Sequence, residues 1–229
     1  MRVVLFQPPM FSREAPAASL AEALAVPLLH LGDLLRTHLS RGTELGIRAA
    51  KIIDSGSLFP DELITAVVRD RLHRDAPAGF LLVGHPHSAA QALALDELLR
   101  GLGRPLDSVL NLHLPEVEVE RHVRRLAGRR LCRDNRSHVF EPPVDHLLVD
   151  DVCNVCGGEL YRRGVDSEAI VRSRFRSHEA LLAPIARHYA RQGLLVTVDS
   201  VGTSDEIAGR ALAALRERSP RASSGSATS

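Results

Sequence analysis

The sequence reads as an α/β protein built around a parallel five-stranded sheet. Three observations lead there. Five short apolar runs have strand length: Val3–Phe6, Val26–Leu29, Gly79–Gly84, Val109–Leu114 and Leu194–Val198. Between them lie segments whose apolar residues recur at helical spacing: Leu20–Ala25, Gly32–Ser40, Leu45–Ser55, one starting at Pro60-Asp61-Glu62, then Ala89–Leu102 and Asp205–Arg216. Strands and helices alternate along the chain, an order that puts helices on both faces of a parallel sheet.

The elements have local reasons. The first strand stops at Pro8-Pro9, and proline cannot donate to a ladder. Pro60 ahead of two acidic first-turn residues is a helix start. Gly84 closes the third strand before the helix at Ala89. The stretch from Arg129 to Tyr161 breaks the alternation. It has turn residues, all three cysteines and no helical period, and reads as an inserted module of loops and short strands. Residues 219–229 are Ser, Ala, Gly, Pro, Arg and Thr, the composition of a disordered tail.

Composition narrows the function classes. The chain has 229 residues, 45% hydrophobic and 25% charged, which excludes wholesale disorder. Its 29 Lys and Arg balance 28 Asp and Glu for a net charge of +1. Such a chain has no global field for nucleic acid or an anionic membrane, so an anion site must come from local clustering. Lys51 is the only lysine. The initial apolar run is too short for a signal peptide or a membrane span, so a soluble, cytoplasmic protein is expected.

Cys132, Cys153 and Cys156 are a metal-site signature rather than a disulfide framework. Tetrahedral zinc needs a fourth ligand. His138 is the better candidate, Asp134 a weaker one, and the amide of Asn135 a poor one. A zinc here would be structural, allowing a module with little core to fold.

Taken together, several segments resemble the adenylate kinase family. They are Leu31-Gly32-Asp33-Leu34-Leu35-Arg36, Arg41-Gly42-Thr43-Glu44-Leu45-Gly46, Asp61-Glu62-Leu63, Gly79–His87, Leu126–Arg130, Cys132-Arg133-Asp134, Ser137–Phe140, Pro142-Pro143, Cys153–Tyr161 and Arg172-Ser173-Arg174. The cysteine and histidine set is similar to the zinc-bearing lid of the long-lid members. The resemblance implies a three-layer core at 1–121 and 162–218, a monophosphate-binding helical segment near 30–59, and a mobile lid at 122–161. It implies transfer of the γ-phosphoryl of ATP to AMP with Mg2+, and a monomer. Arg125, Arg129, Arg163 and Arg174 match the arginines around the transferring phosphoryl. Arg36 matches an AMP-phosphate arginine, Gln91 the adenine-reading glutamine and Asp33 a magnesium-ordering aspartate. Gly84 matches the glycine of the family's D-G-F-P-R motif.

The chain departs from the family where phosphate is held. The family loop G-P-P-G-x-G-K-G-T stands here as Gln7-Pro8-Pro9-Met10-Phe11-Ser12-Arg13-Glu14-Ala15. Its glycines, whose conformations let backbone N–H groups wrap a phosphate, are all replaced. Arg13 takes the lysine position with a larger, planar cation. Ala15 has no hydroxyl for Mg2+. The motif D-G-F-P-R stands as Val83-Gly84-His85-Pro86-His87. His87 replaces an AMP-phosphate arginine, and Leu31 replaces a threonine of the AMP pocket.

The expectation is a protein that binds a nucleotide or another phosphorylated or anionic ligand in an arginine-lined cleft, without ordinary ATP:AMP phosphotransfer. Mg2+ would be needed only if transfer is retained. Three alternatives stand beside it: an enzyme with changed chemistry that uses His85, His87 or Glu14 as acid or base, an active but atypical kinase, and a non-catalytic regulatory or interaction protein. His85 and His87, on a strand-end loop, are expected at the surface. The five arginines are expected to be buried or half-buried around one anionic guest.

Overall fold

The computed structural model describes residues 1–9, 15–55, 57–75, 78–141 and 147–218. The expectations for Met10, Phe11, Arg13 and Glu14, for Pro142-Pro143 and for the tail at 219–229 lie outside the described residues. The chain forms two compact units, Met1–His113 with the chain from Leu181 onward, and Leu114–Ala180.

The first unit holds a five-stranded sheet of β1 (Arg2–Phe6), β2 (Leu28–His30), β3 (Phe80–Val83), β4 (Ser108–His113) and β8 (Leu195–Asp199), in the order β2-β3-β1-β4-β8. Every pairing is parallel, with Val4 opposite Leu82 on one side and Val109 on the other. Parallel strands covered on both faces are apolar at successive positions, and each face then collects alternate residues. Val4, Phe6, Phe80, Leu82 and Val109 pack on one face. Val3, Leu5, Leu81, Val83 and Leu110 pack on the other.

Helices supply the outer layers. The first face is covered by α4 (Asp61–Asp75) through Ile64, Val67, Val68 and Leu72, and by α5 (Ala89–Gly101) through Ala92, Leu95 and Leu99. The second is covered by α1 (Ala15–Ala23) and α8 (Ser204–Arg218) through Leu20, Ile207, Ala211 and Leu215. The helices α2 (Leu31–Ser40) and α3 (Glu44–Asp54) follow β2, and the Thr43 side chain caps α3 by accepting from the Gly46 N–H.

Most expected boundaries shift by one or two residues, and two of the shifts have a clear local cause. The first helix starts at Ala15 and stops at Ala23, earlier than Leu20–Ala25, because Ala25 has φ of 52° and leaves the helix. Strand β2 begins after Val26-Pro27, since Pro27 has no N–H to donate.

The second unit contains α6 (Glu116–Gly128) and an antiparallel sheet of β5 (Arg130–Cys132), β6 (Val139–Phe140) and β7 (Leu160–Tyr161), in the order β6-β5-β7. The expected module of short strands and loops is therefore present. Helix α7 (Glu168–Arg191) has 24 residues and no counterpart in the sequence expectation. Its charged first half and interior Pro184 hide the helical period. Among the described residues no helix is long and apolar enough to cross a membrane.

Leu82 is fully buried in a strand paired on both sides. Leu82→Ala should cost about 2–5 kcal/mol of unfolding free energy, read from the denaturant midpoint at unchanged slope. A loss well under ~1 kcal/mol would mean that this sheet face is not the close-packed core.

Candidate functional site

The expected ligand-binding residues of the first unit cluster at strand ends. Gly84, just past β3, has φ of 81°, a conformation that L side chains adopt poorly. A Cβ there would also touch the Leu31 Cβ at 3.4 Å. Beyond it, the Ser88 Oγ donates to Asp61 Oδ2 at 2.5 Å, and Gln91 Nε2 donates to Asp61 Oδ1 at 2.7 Å. Gln91 Oε1 accepts from the His87 N–H at 2.7 Å. Gln91 is thus buried and held at both ends of its amide. Asp33 and Arg36 are ion-paired one turn apart on α2.

His85 corrects the sequence expectation of a surface residue. It is 1% exposed, and neither ring nitrogen has a hydrogen-bond partner among the described residues. Burial, helped by nearby His87, lowers its pKa to about 4, against the pull of Asp61. His85 is therefore neutral at ordinary pH and a poor candidate base. His87 is exposed, and its pKa is lowered by desolvation, again opposed by Asp61.

In the second unit, Arg129 donates to Asp166 Oδ2 at 2.8 and 3.1 Å, and Asp166 is fully buried. Arg125 lies 3.1 Å from His122 Nδ1 and 3.4 Å from a Glu141 oxygen. Sequence reasoning passed over His122. Burial, then the charges of Arg125 and Arg129, lower its pKa to about 4, so a neutral imidazole accepts from Arg125. The one available signal was its position three residues before Arg125 on a helix face.

Of the five arginines expected to be buried or half-buried, Arg163 is at the surface and the others keep part of their surface in water. Arg36 is 53% exposed and Arg125 45%. Arg163 is exposed, Arg174 is partly buried, and Arg129 is neutralised by Asp166. Water and carboxylates screen these charges, so mutual repulsion gives no reason to require an anionic guest.

Cys132, His138, Cys153 and Cys156 form one cluster, with their ligand atoms all within 4.8 Å of one another. Cys132 Sγ lies 3.4 Å from Cys156 Sγ, and Cys153 Sγ lies 3.5 Å from His138 Nδ1. Asp134 is outside the cluster, and Asn135 instead contacts the far nitrogen of His138 at 3.2 Å. A Cβ at Gly158 would run into the Asp134 carboxylate and meet Cys132 Sγ at 2.9 Å, so the turn packs against Asp134 and that sulfur only with glycine there. Burial disfavours the Cys153 thiolate, but backbone N–H groups of Val155 and Cys156 outweigh it and bring the pKa down to about 7. Donor set and spacing fit a metal ion.

The family model for adenylate kinase matches residues 5–194. The adenylate kinase of Streptomyces avermitilis is 45% identical over 217 residues, covering 94% of this chain and 97% of that protein. That of Streptomyces coelicolor is also 45% identical, covering 94% and 99%. That of Methanosarcina barkeri is 36% identical over 210 residues, covering 90% and 94%. The chain belongs to the adenylate kinase family. Its parallel sheet and helical layers are those of an adenylate-kinase-like α/β core, and the family binds nucleotide substrates.

Within this adenylate kinase scaffold, His85 is a buried polar side chain whose hydrogen-bonding capacity goes unused. The unfolded chain takes up a proton on it below about pH 6.5, which the folded chain refuses until about pH 4. Stability should therefore fall as pH drops through that window, by up to about 3 kcal/mol from His85, and His122 adds in the same direction. His85→Phe should raise stability near pH 7 by about 1–3 kcal/mol and flatten the acid-side loss in urea titrations at several pH values. A variant that is less stable at pH 7 and keeps the same acid slope would contradict this account.

Proposed function

We propose that this member of the adenylate kinase family binds a nucleotide, or another phosphorylated or anionic ligand, and performs ordinary ATP:AMP phosphotransfer weakly or not at all. The observation that carries the reading is the loop Gln7–Ala15, which has no glycine and no lysine. Phosphate cradles need consecutive inward-facing N–H groups, and Met10 and Phe11 restrict the conformations that supply them. Removing one preorganised contact to a reacting group typically costs ~10²–10³ in rate, and several are changed together here.

The rest of the proposed site is read in the same frame. Arg36, assisted by His87 and Gln91 beside the Gly84 turn, would hold the monophosphate end. Arg125, Arg129, Arg163 and Arg174 would face the phosphates, Arg129 through the part of its fork that Asp166 leaves open. The oxygen ligands for Mg2+ are poor: of positions 15, 33 and 83 only Asp33 carries an oxygen side chain, and it pairs with Arg36. The domain reading follows the same frame, with a core at 1–121 and 162–218, a monophosphate segment near 30–59 and a lid at 122–161. An active but atypical kinase is the second reading, supported by 45% identity to proteins named adenylate kinase and by the cation Arg13 at the lysine position.

Turnover on ATP plus AMP should fall below ~1 s⁻¹, under the ~1–100 s⁻¹ usual for kinases. Arg36→Ala should weaken AMP binding at least tenfold, while Arg13→Ala should leave ATP binding nearly unchanged. Turnover in the ordinary range, or loss of ATP binding in Arg13→Ala, would select the second reading.

The metal in the Cys132, His138, Cys153 and Cys156 cluster is proposed to be zinc, because three thiolates and one imidazole suit its tetrahedral preference. It would stiffen a module whose buried apolar cluster, among the described residues, is Cys132, Cys153 and Leu160, backed by Phe140 and Leu147. Protein never exposed to chelator should hold close to one zinc per chain by elemental analysis, and His138→Ala should lower both occupancy and melting temperature. Metal-free protein from that preparation would rule zinc out.

A further inference from the structure

We propose that His122 is a positioning residue for anion binding: as an uncharged hydrogen-bond acceptor it holds the Arg125 guanidinium in one orientation without cancelling its charge. The proposal rests on the reading that Arg125 meets the phosphates of a nucleotide. It adds a residue that the resemblance to the family did not point to.

His122 and Arg125 stand three residues apart on α6, a spacing at which helical side chains meet. One terminal nitrogen of the Arg125 guanidinium lies 3.1 Å from His122 Nδ1 and 3.5 Å from Nε2. A guanidinium has donors only, so the imidazole accepts, and the shorter contact gives that role to Nδ1. The imidazole is itself held. It meets Phe175 of α7 edge-on, with centroids 5.9 Å apart and planes at 83°. Phe175 is buried, so the ring that steadies His122 is anchored in the interior of the second unit. An arginine free in water loses side-chain entropy when an anion fixes it, and a guanidinium already oriented loses less.

The chemistry of the partner matters. Other arginines of this unit are held by carboxylates: Arg129 by Asp166, and Arg172 by Glu120 and Glu168, each at 2.8 Å. A carboxylate orients a guanidinium and neutralises it at the same time. An uncharged imidazole does the first without the second. Burial, then the charges of Arg125 and Arg129, disfavour the protonated ring and hold its pKa at about 4. Glu141 approaches the other terminal nitrogen of Arg125 at 3.4 Å and is itself exposed. That contact is screened by water and can be exchanged for a phosphate oxygen. His122 stays in place through such an exchange, because it occupies a different nitrogen of the fork.

The test compares the full chain with His122→Phe, His122→Asn and Arg125→Ala. Phenylalanine keeps a ring against Phe175 and removes the acceptor. Asparagine removes the ring and keeps an acceptor where Nδ1 stands. The readouts are ATP affinity by calorimetry at neutral pH, melting temperature, and side-chain 15N NMR of arginine, which reports hindered rotation of a guanidinium. The proposal expects His122→Phe to bind ATP about tenfold more weakly, the order of a lost hydrogen bond to a charged group, without a fall in melting temperature. It expects His122→Asn to bind within about twofold of wild type even where its melting temperature drops. Slowed rotation of the Arg125 guanidinium should appear in wild type and His122→Asn and vanish in His122→Phe. Affinity that follows melting temperature instead, or that falls equally in both histidine variants, overturns the proposal and makes His122 a packing residue. If Arg125→Ala weakens ATP binding and His122→Phe does not, the proposal alone fails. Wild type that binds no ATP, or an Arg125→Ala variant that binds it as tightly as wild type, ends the reading of Arg125 as a phosphate contact and the proposal with it.

Discussion

Parallel pairing on both sides of β1 is the constraint from which the rest of the first unit follows. A parallel sheet needs a crossover for each new strand, and each crossover must cover a face. Both faces here are apolar at successive positions, so neither can be left to water. The same directionality brings the ends of β1, β2 and β3 to one edge. The loop after Phe6, the start of α2 at Leu31 and the Gly84 turn therefore lie at neighbouring strand ends. In open α/β sheets this edge is where ligands bind. The altered loop and the altered histidine motif thus stand at the strand ends where such folds present a ligand, and Val83 and His85 of that motif are at the same time buried parts of the core.

The two units are stabilised differently. The first rests on two continuous apolar clusters, one on each face of the sheet. The module around β5, β6 and β7 has a small apolar cluster that is itself built partly from cysteine. Burial of so few side chains cannot offset the ordering of so many loop residues. A metal bound to thiolate and imidazole would supply what the module lacks. The close turn at Gly157-Gly158, where added side chains would meet the ligand sulfurs or require a strained backbone, fits that need.

Charge in this protein is managed locally. Arg129 with Asp166, Arg172 with Glu120 and Glu168, and Arg36 with Asp33 are each held by carboxylates. The exposed pairs, those of Arg172 and Arg36, contribute little to stability. Their effect is to orient guanidinium forks while leaving part of each donor set available. Histidines add a second kind of control: His122 stays neutral beside Arg125, so it accepts a hydrogen bond from the arginine without adding repulsion.

Fold class was legible in the sequence because buried parallel strands leave uninterrupted apolar runs, and five of them stand in order between helical segments. The cysteine cluster was legible because metal chemistry restricts donor type and spacing, and His138 joins it as expected. Helix α7 was not, since its charged face and Pro184 carry no period that can be read without the partners it packs against. The burial of His85 and the exposure of Arg36 and Arg125 were not legible either. Whether a side chain meets water depends on residues distant in sequence, and the same histidine letter serves a rim or a core. The sequence by itself determined the succession of strands and helices along the chain, the three cysteine donors with His138 as the better fourth, and the loss of glycine from the first loop, all of which are local chemistry. Only the tertiary structure decided which histidines stay neutral and which arginines are already paired, because desolvation and charge pairing are properties of neighbours in space.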